Sequence, residues 1–270
     1  MIITSRARAF GALLLLAGLA DLSPVGAQEP TRAPASDTRR PAATPAPPAA
    51  EPPRPAWLKP FRDLLGDIAS LPHKDNTTWL TLGLASAAAA HRLDDQLSEH
   101  LSRVKRQPFE PGAVVGGTPL ELSASFAAYL IGRAAGRPRA MNAGADLIRA
   151  QLLAEILTTG VKQTARRSRP EGSGFSFPSG HTGVSFASAT VLQRHFGWKV
   201  GAPAYAVASY VAASRIQMRR HYLSDVVFGA AVGIVAGRTV TAGRSKLVLA
   251  PIAALDGRGA GLALAWTGRP

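Results

Sequence analysis

The sequence predicts an all-α core carrying a Pro-rich lead and a small C-terminal β-hairpin, on three observations. Between Trp57 and Val240, apolar and small residues run in long stretches at helical spacing, cut by Pro and Gly punctuation. Strict alternation, the mark of a strand, is confined to the residues after Arg244. Between Gln28 and Ala56, nine of 29 residues are proline, which leaves too little apolar surface to bury.

Residues 1–27 read as an export signal. Arg6 and Arg8 give a positive start, Ala9 to Ala20 an apolar run, and Val25-Gly26-Ala27 a small-residue cleavage site before Gln28. The run is shorter than the roughly 20 residues of a membrane span. Residues 28–56 then form an extended linker. The main domain, 57–244, opens with Phe61, Leu64, Leu65, Ile68 and Leu71 on one helical face, ending near Pro72. Further helices are predicted over 76–90, 120–135, 141–163, 181–195, 200–214 and 221–240, with Pro170 and the Gly172–Gly174 pair breaking the fourth of these seven helices into a loop. Residues 245–270 form the appendage. Leu247, Leu249, Pro251 and Ala253 alternate toward Asp256-Gly257, and Gly261 to Trp266 alternate away from it.

The chain has 270 residues and no cysteine, which excludes disulfides and thiolate metal sites. Its formal charge is +14, and half of that excess falls between Lys162 and Asp225, where nine Lys or Arg face two carboxylates. A charge so placed points to an anionic substrate or surface. Taken singly, Arg166, Arg167, Arg219 and Arg220 read equally as a solvated basic face.

That segment also holds three short polar words. Lys162 precedes Arg169-Pro170; Pro178-Ser179-Gly180-His181 follows; Ser214-Arg215 leads to His221 and Asp225. Lys162, Arg169 and Arg215 can offset the charge of a phosphate, the two arginines bidentately. Backbone N–H groups of Ser179 and Gly180 at a helix start add oriented donors. His221 and Asp225, four apart, are expected on one helix face, the carboxylate fixing the imidazole tautomer. This makes His221 the candidate nucleophile and leaves His181 to protonate a leaving alkoxide and activate water. His73, His91, His100 and His195 lack such company and read as structural or solvent-facing.

With these words intact, the chain resembles the type 2 phosphatidic acid phosphatase (PAP2) and vanadium haloperoxidase superfamily over about 64 residues. The resemblance implies a helical bundle and hydrolysis of phosphate esters without a metal or other cofactor. It implies His221 as nucleophile, His181 as acid/base and Asp225 as its partner. Lys162, Arg169, Ser179, Gly180 and Arg215 would surround the phosphate. Vanadate enters as an inhibitor or, for a haloperoxidase, as the cofactor. Partners are then a phosphorylated lipid or a small phosphate ester, with membrane association and no nucleic acid. The export signal sets the place: the periplasm, or the periplasmic face of a bacterial inner membrane. Two readings stand on these residues, a lipid phosphate or diphosphate phosphatase and a soluble broad-specificity acid phosphatase, with haloperoxidation behind both. The longest charge-free helical runs, 76–90 and 200–214, leave membrane-embedded and soluble forms open.

Overall fold

The computed structural model describes residues 59–242, 246–253 and 260–267. The signal, the linker and the Asp256-Gly257 turn lie outside the described residues. Among the described residues nine α-helices form the body: α1 (Lys59–Ala69), α2 (Lys74–Ala90), α3 (Asp94–Ser102), α4 (Glu110–Val115), α5 (Thr118–Ala134), α6 (Pro138–Ala165), α7 (Gly180–Phe196), α8 (Trp198–Gln217) and α9 (Leu223–Thr241). Single turns of 3-10 helix, His91–Leu93 and Gln107–Phe109, precede α3 and α4. Strands β1 (Lys246–Ala253) and β2 (Ala260–Thr267) pair antiparallel, with Lys246 opposite Thr267 and Ala253 opposite Ala260. The alternation after Arg244 therefore does mark paired strands.

The predicted helices are present with ends shifted by a few residues, except that α3 and α4 were not anticipated. Asp94–Ser102 is mostly polar, so it shows no apolar period to read. The last helix starts at Leu223 and not at His221, because Tyr222 and Asp225 form a capping box there.

Helix α6, the longest, lies against α1, α5, α7 and α9, while α7 and α9 press together along their length. Leu147, Ala150, Leu153 and Ala154 of α6 meet Val184, Ala187, Val191 and Leu192 of α7 and Ala236 and Val240 of α9. Leu64, Ile68 and Leu71 cover this core from the α1 side, while Leu65 of the same predicted apolar face is 72% exposed. A buried Leu or Val stabilises by roughly 1.5–3 kcal/mol, so this layer is the main cohesive element of the bundle. Helix α1 is also pinned electrostatically. Arg149, buried on α6, reaches Asp67 of α1 at 2.9 Å and Asp146 at 2.5 Å.

The contact between α7 and α9 is set by glycine. A Cβ at Gly229 would sit 2.6 Å from the Ser179 carbonyl oxygen, one at Gly233 2.2 Å from that of Gly183, and one at Gly237 2.6 Å from Thr190 Cβ. These four-residue steps bring the two backbones closer than any side chain permits, and they align the start of α7 with the start of α9. Among the described residues one helix, α9, is long and apolar enough to cross a membrane, and most of it is buried within the bundle.

Candidate active site

Three chain breaks come together at one end of the bundle: the loop after α6, the start of α7 and the turn between α8 and α9. The loop after α6 leaves the helix through Arg166 in the left-handed region (φ 46°). It folds back on itself, since Ser176 N–H donates to the Arg167 carbonyl at 2.6 Å and Ser168 bridges Phe175. It then delivers Ser179 as the N-cap of α7, with the Thr182 hydroxyl on Ser179 Oγ at 3.0 Å.

Within this space His181, Lys162, Arg169, Arg215 and His221 lie close enough to act on one another. Burial first, and then the charges of Arg215, of His221 when protonated, of Lys162 and of Arg169, push His181 down to about 3, so its imidazole is neutral in the empty site. Burial likewise lowers Lys162, helped by Arg169 and Arg215 and opposed by Glu155 and Asp225. Arg215, on the last turn of α8, is 8% exposed and has no carboxylate partner among the described residues; burial, Arg220 and Arg169 bring it down to about 10. Its Nε is buried with no hydrogen-bond partner among the described residues. Arg169 is anchored by its Nε, which donates to the Phe175 carbonyl at 3.2 Å, leaving one guanidinium edge for other work.

The structure corrects two expectations. His221 and Asp225 do not share a helix face, because the α9 cap falls between them. His221 occupies the turn, 2% exposed, and its Nδ1 is 2.7 Å from the Ser176 carbonyl oxygen against 3.7 Å from Asp225 Oδ2. A carbonyl only accepts, so Nδ1 carries the proton and Nε2 presents its lone pair. Burial lowers the His221 pKa against the pull of Asp225. The second correction concerns Ser179, whose amide donates to the Asp225 carbonyl at 3.0 Å and is therefore not free for a phosphate. The uncommitted amides at the start of α7 are those of Gly180 and His181. Ser179 thus caps α7 and ties it to α9.

Behind the histidines lies a saturated network that the sequence did not disclose. Asp225 accepts from Arg167 Nη1 at 3.0 Å, from the Tyr222 amide at 2.7 Å and from the Ser176 hydroxyl. Arg167 continues to Asp94 at 2.8 Å and to Ser224 Oγ at 2.7 Å, and its guanidinium lies 4.1 Å over the Tyr222 ring. Asp94, 2% exposed, also takes the Ser224 amide and hydroxyl at 2.8 and 2.7 Å and His91 Nδ1 at 2.7 Å. Burial pushes its carboxyl up, and the Ser224, Arg167 and His91 hydrogen bonds overcome this and hold it below the usual range. Arg167 and His91 are thus bound parts of the support and not merely solvent-facing groups. Arg167 stands two residues before Arg169, but Asp94 is 73 residues from Arg167, and no spacing could join them.

The PAP2 superfamily model matches residues 143–248, from the middle of α6 through α9 to the start of β1. A lipid A 1-phosphatase of Porphyromonas gingivalis is 40% identical over 96 residues, 34% of this chain; the match takes in only 21% of that protein. A PAP2 type phosphatidylglycerolphosphate phosphatase of Bacillus subtilis superposes with a TM-score of 0.50 at 18% identity, covering 68% of this chain and 94% of that structure, which supports the helical fold. LpxE of Aquifex aeolicus gives 0.48 at 22% identity over 55% of this chain and 94% of its own. The segment 143–248, which carries the intact three-part pattern, is thus similar to the PAP2 superfamily, and the match spans about a fifth of the curated relative.

Proposed function

We propose that the chain is a phosphoric ester hydrolase acting on a lipid phosphate or diphosphate at the periplasmic side of the envelope, through a phosphohistidine on His221. The observation that carries this reading is buried charge without a counterion. Among the described residues Arg215 is enclosed, unpaired by any carboxylate and short of an acceptor at Nε, beside a histidine whose tautomer the Ser176 carbonyl fixes. Burying such a cation costs several kcal/mol, a burden that an anionic ligand relieves.

His221 Nε2 attacks phosphorus, and the bond from phosphorus to the leaving oxygen breaks. Arg215, Arg169, Lys162 and the Gly180 and His181 amides hold the equatorial oxygens, where charge develops. Asp225, 3.7 Å from Nδ1, offsets the positive charge that the ring acquires. His181 gives its proton to the leaving alkoxide. It then takes one from water, which attacks phosphorus, breaks the P–N bond and releases inorganic phosphate. His181 is neutral in the empty site, chiefly through burial; a bound dianion offsets the cations that add to this and so favours the protonated acid. No step draws on a metal; EDTA is expected to leave turnover intact and orthovanadate to inhibit it.

The lipid reading draws on the relatives' printed activities and on large apolar side chains left exposed: Trp79, Leu82 and Leu84 on α2, and Leu130 and Ile131 on α5. The test is phosphate release from a lipid phosphate and from a small soluble ester, with His221→Ala as control. Preference for the lipid, reduced on the order of 10⁴-fold in the variant, is expected, together with an acid-labile, base-stable phosphoprotein in rapid-quench samples. Equal or faster turnover of the soluble ester would replace this reading with the broad-specificity acid phosphatase. Activity that survives in His221→Ala would remove the covalent mechanism.

A further inference from the structure

An ion pair stands beside the cradle and outside the three-part pattern. Arg220 immediately precedes His221, and its amide donates to the Arg215 carbonyl at 3.1 Å, so its backbone is built into the same turn. Its Nη1 meets Oε1 of Glu171. That same oxygen lies 3.7 Å from Arg169 Nη1 and accepts from the Ser173 hydroxyl at 2.7 Å. One carboxylate oxygen therefore bridges Arg220 and a guanidinium of the cradle, which is how a phosphate oxygen would sit between two arginines. Glu171 is carried on a loop with left-handed glycines at Gly172 (φ 88°) and Gly174 (φ 67°), positions where the backbone can re-aim with little steric cost.

We propose that Arg220 is a further substrate-binding residue, and that Glu171 is its tethered counterion, displaced when a phosphate oxygen arrives. This rests on the phosphatase reading above. The exchange is favourable in charge. The carboxylate brings one negative charge to Arg169 and Arg220, a phosphomonoester brings nearly two, and the Glu171–Arg220 pair is partly exposed, so parting it costs little. The field already couples the groups: Arg220 is the strongest charge depressing Arg215, and Glu171 is the carboxylate that opposes it. Glu171 then tunes affinity by occupying, in the empty site, two of the donors that substrate needs.

The two members of the pair should act with opposite sign, which an ordinary structural ion pair would not do. Binding of inorganic phosphate to the full chain is measured by titration calorimetry, and KM and kcat are measured on a soluble ester. Glu171→Gln is expected to tighten phosphate severalfold and lower KM; Arg220→Gln is expected to weaken phosphate about tenfold, with the change falling mainly on KM. Thermal midpoints of both variants should stay near that of the unaltered chain, as the pair is partly exposed. Weakening in both variants, or no change in either, would overturn the proposal. Should the unaltered chain bind no phosphate and turn over no ester, the phosphatase reading falls first, and this inference with it.

Discussion

The two halves of the site are built on opposite rules. In the supporting half, Asp94, Arg167, Ser224, Ser176 and Asp225 are bonded to one another and to His91 and Tyr222: Asp94 alone takes contacts from Ser224 twice, from Arg167 and from His91. In the binding half, Arg215 has no carboxylate partner among the described residues and its Nε has no acceptor, while His181 is surrounded by positive charge. Groups that hold geometry are satisfied in advance; Arg215, among those that bind, is left wanting. The contrast teaches that stability and affinity are separable here, since they reside in different side chains only a few ångströms apart.

Three perturbations test that separation. The largest effect is expected from Asp94→Ala, which leaves the Ser224 amide without its buried acceptor and Arg167 with Asp225 as its one remaining carboxylate among the described residues. Unfolding should become easier by about 3–5 kcal/mol, read as a lower denaturation midpoint, and kcat should fall with it because Asp225 loses its orientation. A variant that keeps its midpoint would show that the network is not structural. Arg215→Met should do the reverse to stability: the midpoint rises as an uncompensated buried cation is removed, by about 1–4 kcal/mol, while turnover falls by about 10²–10³-fold. A drop in both would mean that Arg215 has a structural partner after all. The smallest effect is in proton counting. His181 is held at about 3, below its ordinary 6.5, so the unfolded chain binds a proton that the folded chain refuses between those values. Its contribution to stability is intact above pH 6.5 and declines as the pH falls toward 3. Phosphate binding near pH 5.5 should accordingly take up more protons in the unaltered chain than in His181→Asn, by up to one, measured by calorimetry in buffers of different ionisation enthalpy. Equal uptake would show that the anion does not recharge His181.

Much of this was legible in the order of residues, and what was not has identifiable causes. The long helices announce themselves by composition and punctuation, and the three polar words place Lys162, Arg169, His181, Arg215 and His221 at one end of the bundle. The relation of His221 to Asp225 was misread because four-residue spacing implies a shared face only inside a helix, and Tyr222 starts a new one between them. The group that sets the His221 tautomer is the carbonyl of Ser176, a backbone atom for which sequence has no letter. Ser179 looked like a phosphate donor because it opens a helix; only the fold shows that its amide is spoken for by Asp225. Asp94 sits in a helix with no apolar period and works on residues far along the chain, so local pattern could not reach it.

The glycine seam between α7 and α9 sets the spacing of the two helices by itself. Because Gly229, Gly233 and Gly237 bring backbone against backbone, the separation of His181's helix from that of Asp225 is metered by atoms that no substitution can shorten and any substitution lengthens. The loop from Pro170 to Gly174 and the exposed faces of α2 and α5 lie outside this seam and are not bound by it. The seam acts as a fixed gauge: it sets the distance between the two helix starts independently of the side chains that line the site.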